Sequence, residues 1–382
     1  MLTSKFWYIT FYFAGLALFC SCSKSGELTG PMISLSVPSD GFKIEMGKSL
    51  PLNPTVSNSG NSIFTWKVNG EIVSTEKIYL FTPLKIGSYT LQLKVSNDAG
   101  SDNKTIQISA FSNLSPYITS VFDYRYGPGQ HASLIPSDSK ANDFIGHPWI
   151  GSKQYTSLGG WGGYIVAGFD HTIKNVSGAD FAIFTQPGAA SEPGIVNVMS
   201  DTNNDGIPND GDWYEIKGSE YNNPETIHDY EVTYYKPLAN GNVTWKDNKG
   251  GNGELKPVFD SLSWWWSGYG NKLEMIFSGS KLPDAYKNNS TQIGNENWIV
   301  RSGIFTSGYA ECYNNADYIN SLKANAFDIS NAINKAGNPV NLTGFTFIKV
   351  QSGVFQVAGW LNEISTEISG AVDLSLIEYS AN

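Results

Sequence analysis

From Ile33 onward, apolar and polar residues alternate in short runs. "ISLSV" and "FTWKV" each put every second side chain on one face, the period of a half-buried strand. Asn69-Gly70 follows the second run. This pair accepts the left-handed backbone of a tight hairpin. "GSYTLQLKVSN" sets Tyr89, Leu91, Leu93 and Val95 on one face, and "KTIQISA" closes the set. Short alternating strands separated by turns predict an Ig-like sandwich over residues 33–111. Trp66 is its expected core tryptophan and Tyr89 its expected tyrosine corner.

"FSNLSPY" at 111–117 reads as a linker. The pattern then resumes over residues 115–382 in short aromatic strands: "YIVAGF", "DFAIFT", "GIVNVMS", "DYEVTYY", "KLEMIF", "WIVRSGIF" and "GFTFIKVQ". Gly-, Asn- and Asp-rich loops separate them. The predicted fold class is all-β, with the Ig-like sandwich followed by a larger jelly-roll-like sandwich. "SLKANAFDISNAINKAG" is expected to supply a helical turn or two, and "ADYIN" a short helical piece.

The amino-terminal pattern differs. Lys5 precedes an apolar run that ends near Phe19, too short to span a bilayer and suited to a signal peptide over residues 1–21. Ser21 before Cys22 resembles a bacterial lipobox, which makes Cys22 the expected lipidated residue. Residues 22–32 are then a polar tether. With Cys22 acylated, Cys312 is the one thiol left in the mature chain, and it reads as a packed small hydrophobe. The net charge of −10 becomes −11 when Lys5 leaves with the signal, and this acidity disfavours nucleic acid.

The stretch "DTNNDGIPNDGD" at 201–212 holds four aspartates and three asparagines in a chain that is only 16% charged. Asp201, Asn203, Asp205, the Ile207 carbonyl, Asn209 and Asp212 fall at the ligand positions of an EF-hand-like loop, with Gly206 at the turn. Pro208 and the following "DWYEI" argue for a loop between strands. The spacing predicts structural Ca2+. The competing reading is an Asx-rich turn with no ion.

Several blocks of the larger unit, "VFDYRYGPGQH", "SLGGWGGYIVAGFDHTIKN", "SEPGIVNVMSD", "DWYEIKGSEY" and "FIKVQSGVFQVAGWLNEISTEISGAVDL" among them, together resemble a family of PKD-bearing surface lipoproteins of Bacteroides-like bacteria. "GSYTLQLKVSNDAGSDNKTIQI" resembles the PKD module itself. The resemblance implies association with vitamin B12 uptake loci. It also implies capture of a corrinoid (cobalamin) for an outer-membrane TonB-dependent transporter, on a lipid-anchored protein exposed at the outer membrane. A glycan-binding accessory protein is the alternative, and a glycoside hydrolase a third possibility.

Candidate ligand contacts come from the residues. Trp161, between glycine pairs, is either a stacking platform or a plug in the core. Trp264, Trp265 and Trp266 lie in a row, so a strand there turns at least one outward unless both faces are covered. His131 can approach His171, but no His pair has zinc-motif spacing. Asp180 and Glu192 lie at strand edges, as turn caps or as additional calcium ligands. No nucleophile elbow, zinc-protease motif, phosphate loop or dinucleotide fingerprint occurs, and no enzymatic activity is expected.

Overall fold

The computed structural model describes residues 29–130, 141–147, 155–185, 191–238, 241–259, 266, 269–292, 296–313 and 315–380. The regular secondary structure is nearly all strand, with three-residue 3-10 turns as its helical pieces among the described residues. It divides into two compact units. One comprises residues 1–40, 51–80 and 90–107, and the other residues 41–50, 81–89 and 108–382.

In the first unit, Ile63–Val68 pairs antiparallel with Glu71–Ser74 and with the later part of Gly87–Asn97. Asn69 (φ 48°) and Gly70 (φ 95°) make the turn between the first two, as their left-handed tolerance predicts. Trp66 is fully buried beside Leu91, Leu93 and Val95. Its Nε1 donates to the Glu76 carbonyl at 3.0 Å, so its polar edge is also satisfied.

The second unit carries the tyrosine corner. Tyr89 donates its hydroxyl to the Lys85 carbonyl at 2.8 Å and packs edge-on against Phe81.

The larger sandwich of this unit has two antiparallel sheets. The first runs Ser120–Gly127, Gly160–Lys174, Gly344–Ser352, Ser191–Met199, Tyr214–Ile216, Ala332–Ile333, with Tyr309–Cys312 also on Ser191–Met199. The second runs Thr156–Ser157, Glu367–Asp373, Phe181–Thr185, Ala324–Phe327, Tyr318–Ile319. Ile165, Ala167, Val196, Val198, Ile348 and Val350 from one sheet meet Phe181, Ile183, Ile368 and Ala371 from the other. Strict alternation sends Asn197, Lys349 and Gln351 to the opposite face of the first sheet.

That outer face is partly covered. A third sheet, Asn252–Leu255, Val243–Asp247, Ile227–Tyr235, Glu274–Lys281, packs Tyr230, Val232, Tyr234 and Phe277 against Tyr126 and Trp161. Gln351 ties the two sheets together, its Nε2 donating to Gly162 O (2.9 Å) and Ser278 O (3.1 Å). Gly279 permits this approach, because a Cβ there would sit 2.5 Å from the Gln351 Oε1.

The expected helical pieces form otherwise. "ADYIN" contains the strand Tyr318–Ile319, and "SLKANAFDISNAINKAG" contains the strands Ala324–Phe327 and Ala332–Ile333 around the 3-10 turn Ile329–Asn331. Asp328 caps that turn by accepting the Ser330 N–H. These segments are too short for a helix to hold itself, so pairing with neighbouring strands decides.

Candidate functional site

A polar cleft of about 550 Å³ opens in the larger unit where the third sheet stands over the first. Asn197, Glu215, Lys349 and Gln351 supply its floor from the first sheet. His228, Tyr230, Glu231, Ser278 and Ser280 supply one wall from the third. Asp212 and Trp213 stand at the end of the acidic loop, and Tyr221, Asn334 and Lys335 complete the lining.

The floor is set by register. Lys349 pairs with Asn197 and Asn197 with Glu215, so three polar side chains lie in adjacent positions across the outer face. Burial alone pushes the Glu215 carboxyl up to about 7, with no hydrogen bond or nearby cation acting on it. Among the described residues neither Asn197 nor Glu215 makes a side-chain hydrogen bond. Lys349 sits 4.6 Å over the Tyr164 ring, away from Glu215. Burial lowers its pKa, opposed by the charge of Asp123.

The wall is more completely satisfied. His228 contacts the Tyr221 carbonyl through Nε2 (3.1 Å) and Ser280 Oγ through Nδ1 (3.3 Å), and its ring lies 4.4 Å from the Tyr221 ring. Lys217 stands over Tyr221 at 5.3 Å, and burial with the charge of Glu215 raises the phenol. Ser278 donates to Glu231, and Lys335 reaches Asp229 at 3.5 Å. Half-buried aromatic rings beside unpartnered amide and carboxyl groups can hold a polyol ring by stacking and hydrogen bonding together.

The tryptophans named by the sequence are not in this cleft. Trp161 is 1% exposed, edge-on to Tyr230, and Tyr234 donates to its carbonyl at 3.1 Å. It is a plug rather than a platform, because the third sheet covers the face on which it projects. Its Nε1 has no acceptor among the described residues. Trp266 is buried as well, with Nε1 donating to the Lys272 carbonyl, which corrects the expected stacking surface at that position. Trp264, Trp265, His131 and Cys22 lie outside the described residues.

Trp360 is 63% exposed, its ring 5.7 Å from Phe259. Nothing in "AGWLNE" marks it, because the segment carries no alternation.

The acidic loop joins Ser191–Met199 to Tyr214–Ile216, two paired strands, as predicted. Asp201 accepts the Asp205 and Gly206 N–H groups, and Asp205 accepts from Ile207 N, Asn203 Nδ2 and Asn209 Nδ2. The Ile207 N–H in particular lowers the Asp205 pKa. Asp210, which the spacing omits, closes the loop by accepting from Thr202 N and Asn203 N, while Asp212 faces the cleft. Asp201, Asn203, Asp205 and the Ile207 carbonyl are hard oxygen donors of the kind calcium takes, so the donor chemistry fits the ion.

The remaining titratable residues named by the sequence lie outside the lining of this cleft. Asp180 caps turns by accepting Val176 N and Ile329 N, and burial raises it to about 6. Glu192 joins Glu311 and Glu367, with carboxyl oxygens within 4.8 Å of one another. Burial and mutual repulsion raise Glu192 and Glu311 well above the carboxylate range. His171 bridges Asp170 and Asp373. Cys312 is a buried free thiol, pushed up to about 12 by burial.

A family model described as a PKD-like domain matches residues 30–97. No curated protein matches the chain. Among solved structures the chain is similar to a quinonprotein alcohol dehydrogenase-like protein from Bacteroides thetaiotaomicron, with 13% identity, 90% of this chain and 99% of that one covered, and a TM-score of 0.24. It is also similar to a carbohydrate-binding module of the β-sandwich superfamily (11% identity, 91% and 98% covered, TM-score 0.20). A third likeness is to a surface glycan-binding protein, SGBP-B, of the Bacteroides ovatus mixed-linkage glucan utilization locus, solved with a heptasaccharide (10% identity, 65% and 97% covered, TM-score 0.20). Scores this low do not amount to a shared topology. No helix among the described residues is long and apolar enough to cross a membrane.

Proposed function

We propose that this PKD-bearing protein binds a saccharide in the polar cleft of its larger unit and does no chemistry on it. The observation that carries the reading is the floor pair Asn197 and Glu215, half-buried side chains that line the cleft and make no hydrogen bond to another described residue. A ligand rich in hydroxyls can bond both side chains in place of water, while Trp213 and Tyr221 offer aromatic surface beside them. A corrinoid calls for a broad apolar face. Of the residues expected to make one, Trp161 and Trp266 are in the core, and the polar lining of the cleft suits the saccharide alternative better.

In this reading the PKD-like module is a spacer, Cys22 carries the lipid anchor at the outer membrane, and a TonB-dependent transporter receives the ligand. Calcium held by Asp201, Asn203, Asp205 and the Ile207 carbonyl, with Asp212 or Asp210 completing the shell, would staple the loop that presents Trp213.

The test is a glycan array beside a cyanocobalamin titration, run on wild type and on Asn197→Ala. Saccharide binding weakened about tenfold by the substitution supports the reading. Micromolar binding of cyanocobalamin with no glycan signal would replace it with the corrinoid one.

A further inference from the structure

The two sheets of the larger sandwich meet at His171. The register of Gly160–Lys174 against Gly344–Ser352 slips between Gly168 and Ile173, and this bulge carries the histidine. Its side chain is 8% exposed and meets a carboxylate at each ring nitrogen. Asp170, on its own strand, lies 2.7 Å from Nδ1, and Asp373, at the end of Glu367–Asp373 in the second sheet, lies 2.9 Å from Nε2. Carboxylate oxygens only accept. A neutral imidazole has a single N–H and turns a lone pair toward one of the two, so imidazolium is the form that bonds both. Phe169 meets the ring edge-on, and Asp180, beside the strand that pairs with Asp373, turns its carboxyl to Val176 N and Ile329 N instead.

Asp373 holds more than the histidine. Its buried carboxyl also accepts the Ser375 N–H at 2.7 Å and so caps the turn Leu374–Leu376. The Ser375 carbonyl accepts the Ile86 N–H at 2.8 Å, and the carbonyl of the preceding Lys85 anchors the Tyr89 hydroxyl. A line of bonds within this unit therefore joins the imidazolium to the segment of the tyrosine corner.

We propose that His171 is a proton-operated latch: charged, it holds Asp373 and through it the carboxyl-terminal turn against Ile86, and neutral, it lets that turn and the tyrosine corner loosen. A charge-assisted bond is roughly twice as strong as a neutral one, and Asp373 without its cation is a buried charge left unbalanced. Burial lowers the imidazole pKa, but the hydrogen bonds and charges of Asp373 and Asp170 outweigh it and raise the group above its ordinary 6.5. The latch is thus fully closed below 6.5 and opens as pH rises through the raised value. It does not depend on the saccharide reading.

The experiment measures hydrogen exchange of the full-length protein from about pH 6 to about pH 9, corrected for intrinsic rates, beside an NMR titration of the His171 ring. Protection at Ile86 and across the turn Leu374–Leu376 is expected to fall about tenfold, equivalent to about 1.4 kcal/mol, with the midpoint of the ring. The step should vanish in His171→Gln and persist in Glu215→Gln. A ring that titrates at or below 6.5, a step that survives in His171→Gln, or protection that ignores the ring's midpoint overturns the inference. If His171→Gln does not fold, Asp170→Asn decides. A midpoint lowered in ring and exchange together supports the latch, and one lowered in the ring alone overturns it.

Discussion

At the scale of single residues, what surrounds a side chain decides its role more than its chemical type. Trp161 reads from sequence as a glycine-framed platform, yet it fills the space between two sheets. Trp161→Ala should therefore destabilise the protein by about 3–5 kcal/mol, the usual cost of emptying a large aromatic site. Trp161→Phe should lose much less, since it also removes an indole N–H that has no acceptor. Urea unfolding of the two variants checks this, and a Trp161→Ala protein as stable as wild type would return the residue to the surface.

Glu215 makes a second residue-scale prediction. Its folded pKa, about 7, lies above the ordinary 4.5. Below about 4.5 the carboxyl is protonated in both states and its contribution is intact. Between 4.5 and 7 the unfolded chain ionises while the folded one resists, so stability falls as pH rises. Glu215→Gln should flatten that part of the stability profile, with Asp180 and the Glu192 cluster leaving a residual slope. Parallel curves for wild type and variant from thermal melts across this window would contradict the assignment.

At the scale of elements, alternation was legible and coverage was not. The runs around Ile165, Val196 and Phe345 declare their strands as short apolar stretches bounded by Gly-, Asn- and Asp-rich loops, and the Asn69-Gly70 turn declares itself by backbone preference. The same alternation places Asn197, Lys349 and Gln351 on the far face, but nothing local says that a third sheet will stand over it. The floor of the cleft is assembled from Lys349, Asn197 and Glu215, on strands brought together by long-range pairing, so no window of sequence contains it. "ADYIN" hides its strand for a related reason: an edge strand borrows its stability from its neighbour.

The acidic loop was legible as a strand connection, but Asp210 was not seen as its closing residue. If it holds calcium, the loop is ordered by the ion. Saturation at a hundred times the dissociation constant adds about 2.7 kcal/mol to the folded state. Chelation should lower the melting temperature of wild type by a few degrees and leave Asp205→Ala unchanged. Superimposable wild-type melts with calcium and with chelator would reduce the loop to an Asx-rich turn.

At the scale of the whole molecule, the buried thiol gives a check on the core. Cys312 has neither access nor acidity, so a thiol reagent should fail to label it in the native protein and label it fully after denaturation. Rapid native labelling at Cys312 would mean that the packing around Tyr309–Cys312 opens readily.

The bare pair on the cleft floor also sets stability against function. Nothing in the fold needs a carboxyl and a carboxamide there, since neither bonds to another described residue, and apolar side chains would sit on the same strands without the desolvation cost. A library randomised at Asn197 and Glu215 and selected only for heat resistance should drift toward Val, Leu and Ile at both positions. If the cleft holds saccharide as proposed, the library's hardiest members should be the ones that bind saccharide least, so selecting for endurance would act against recognition.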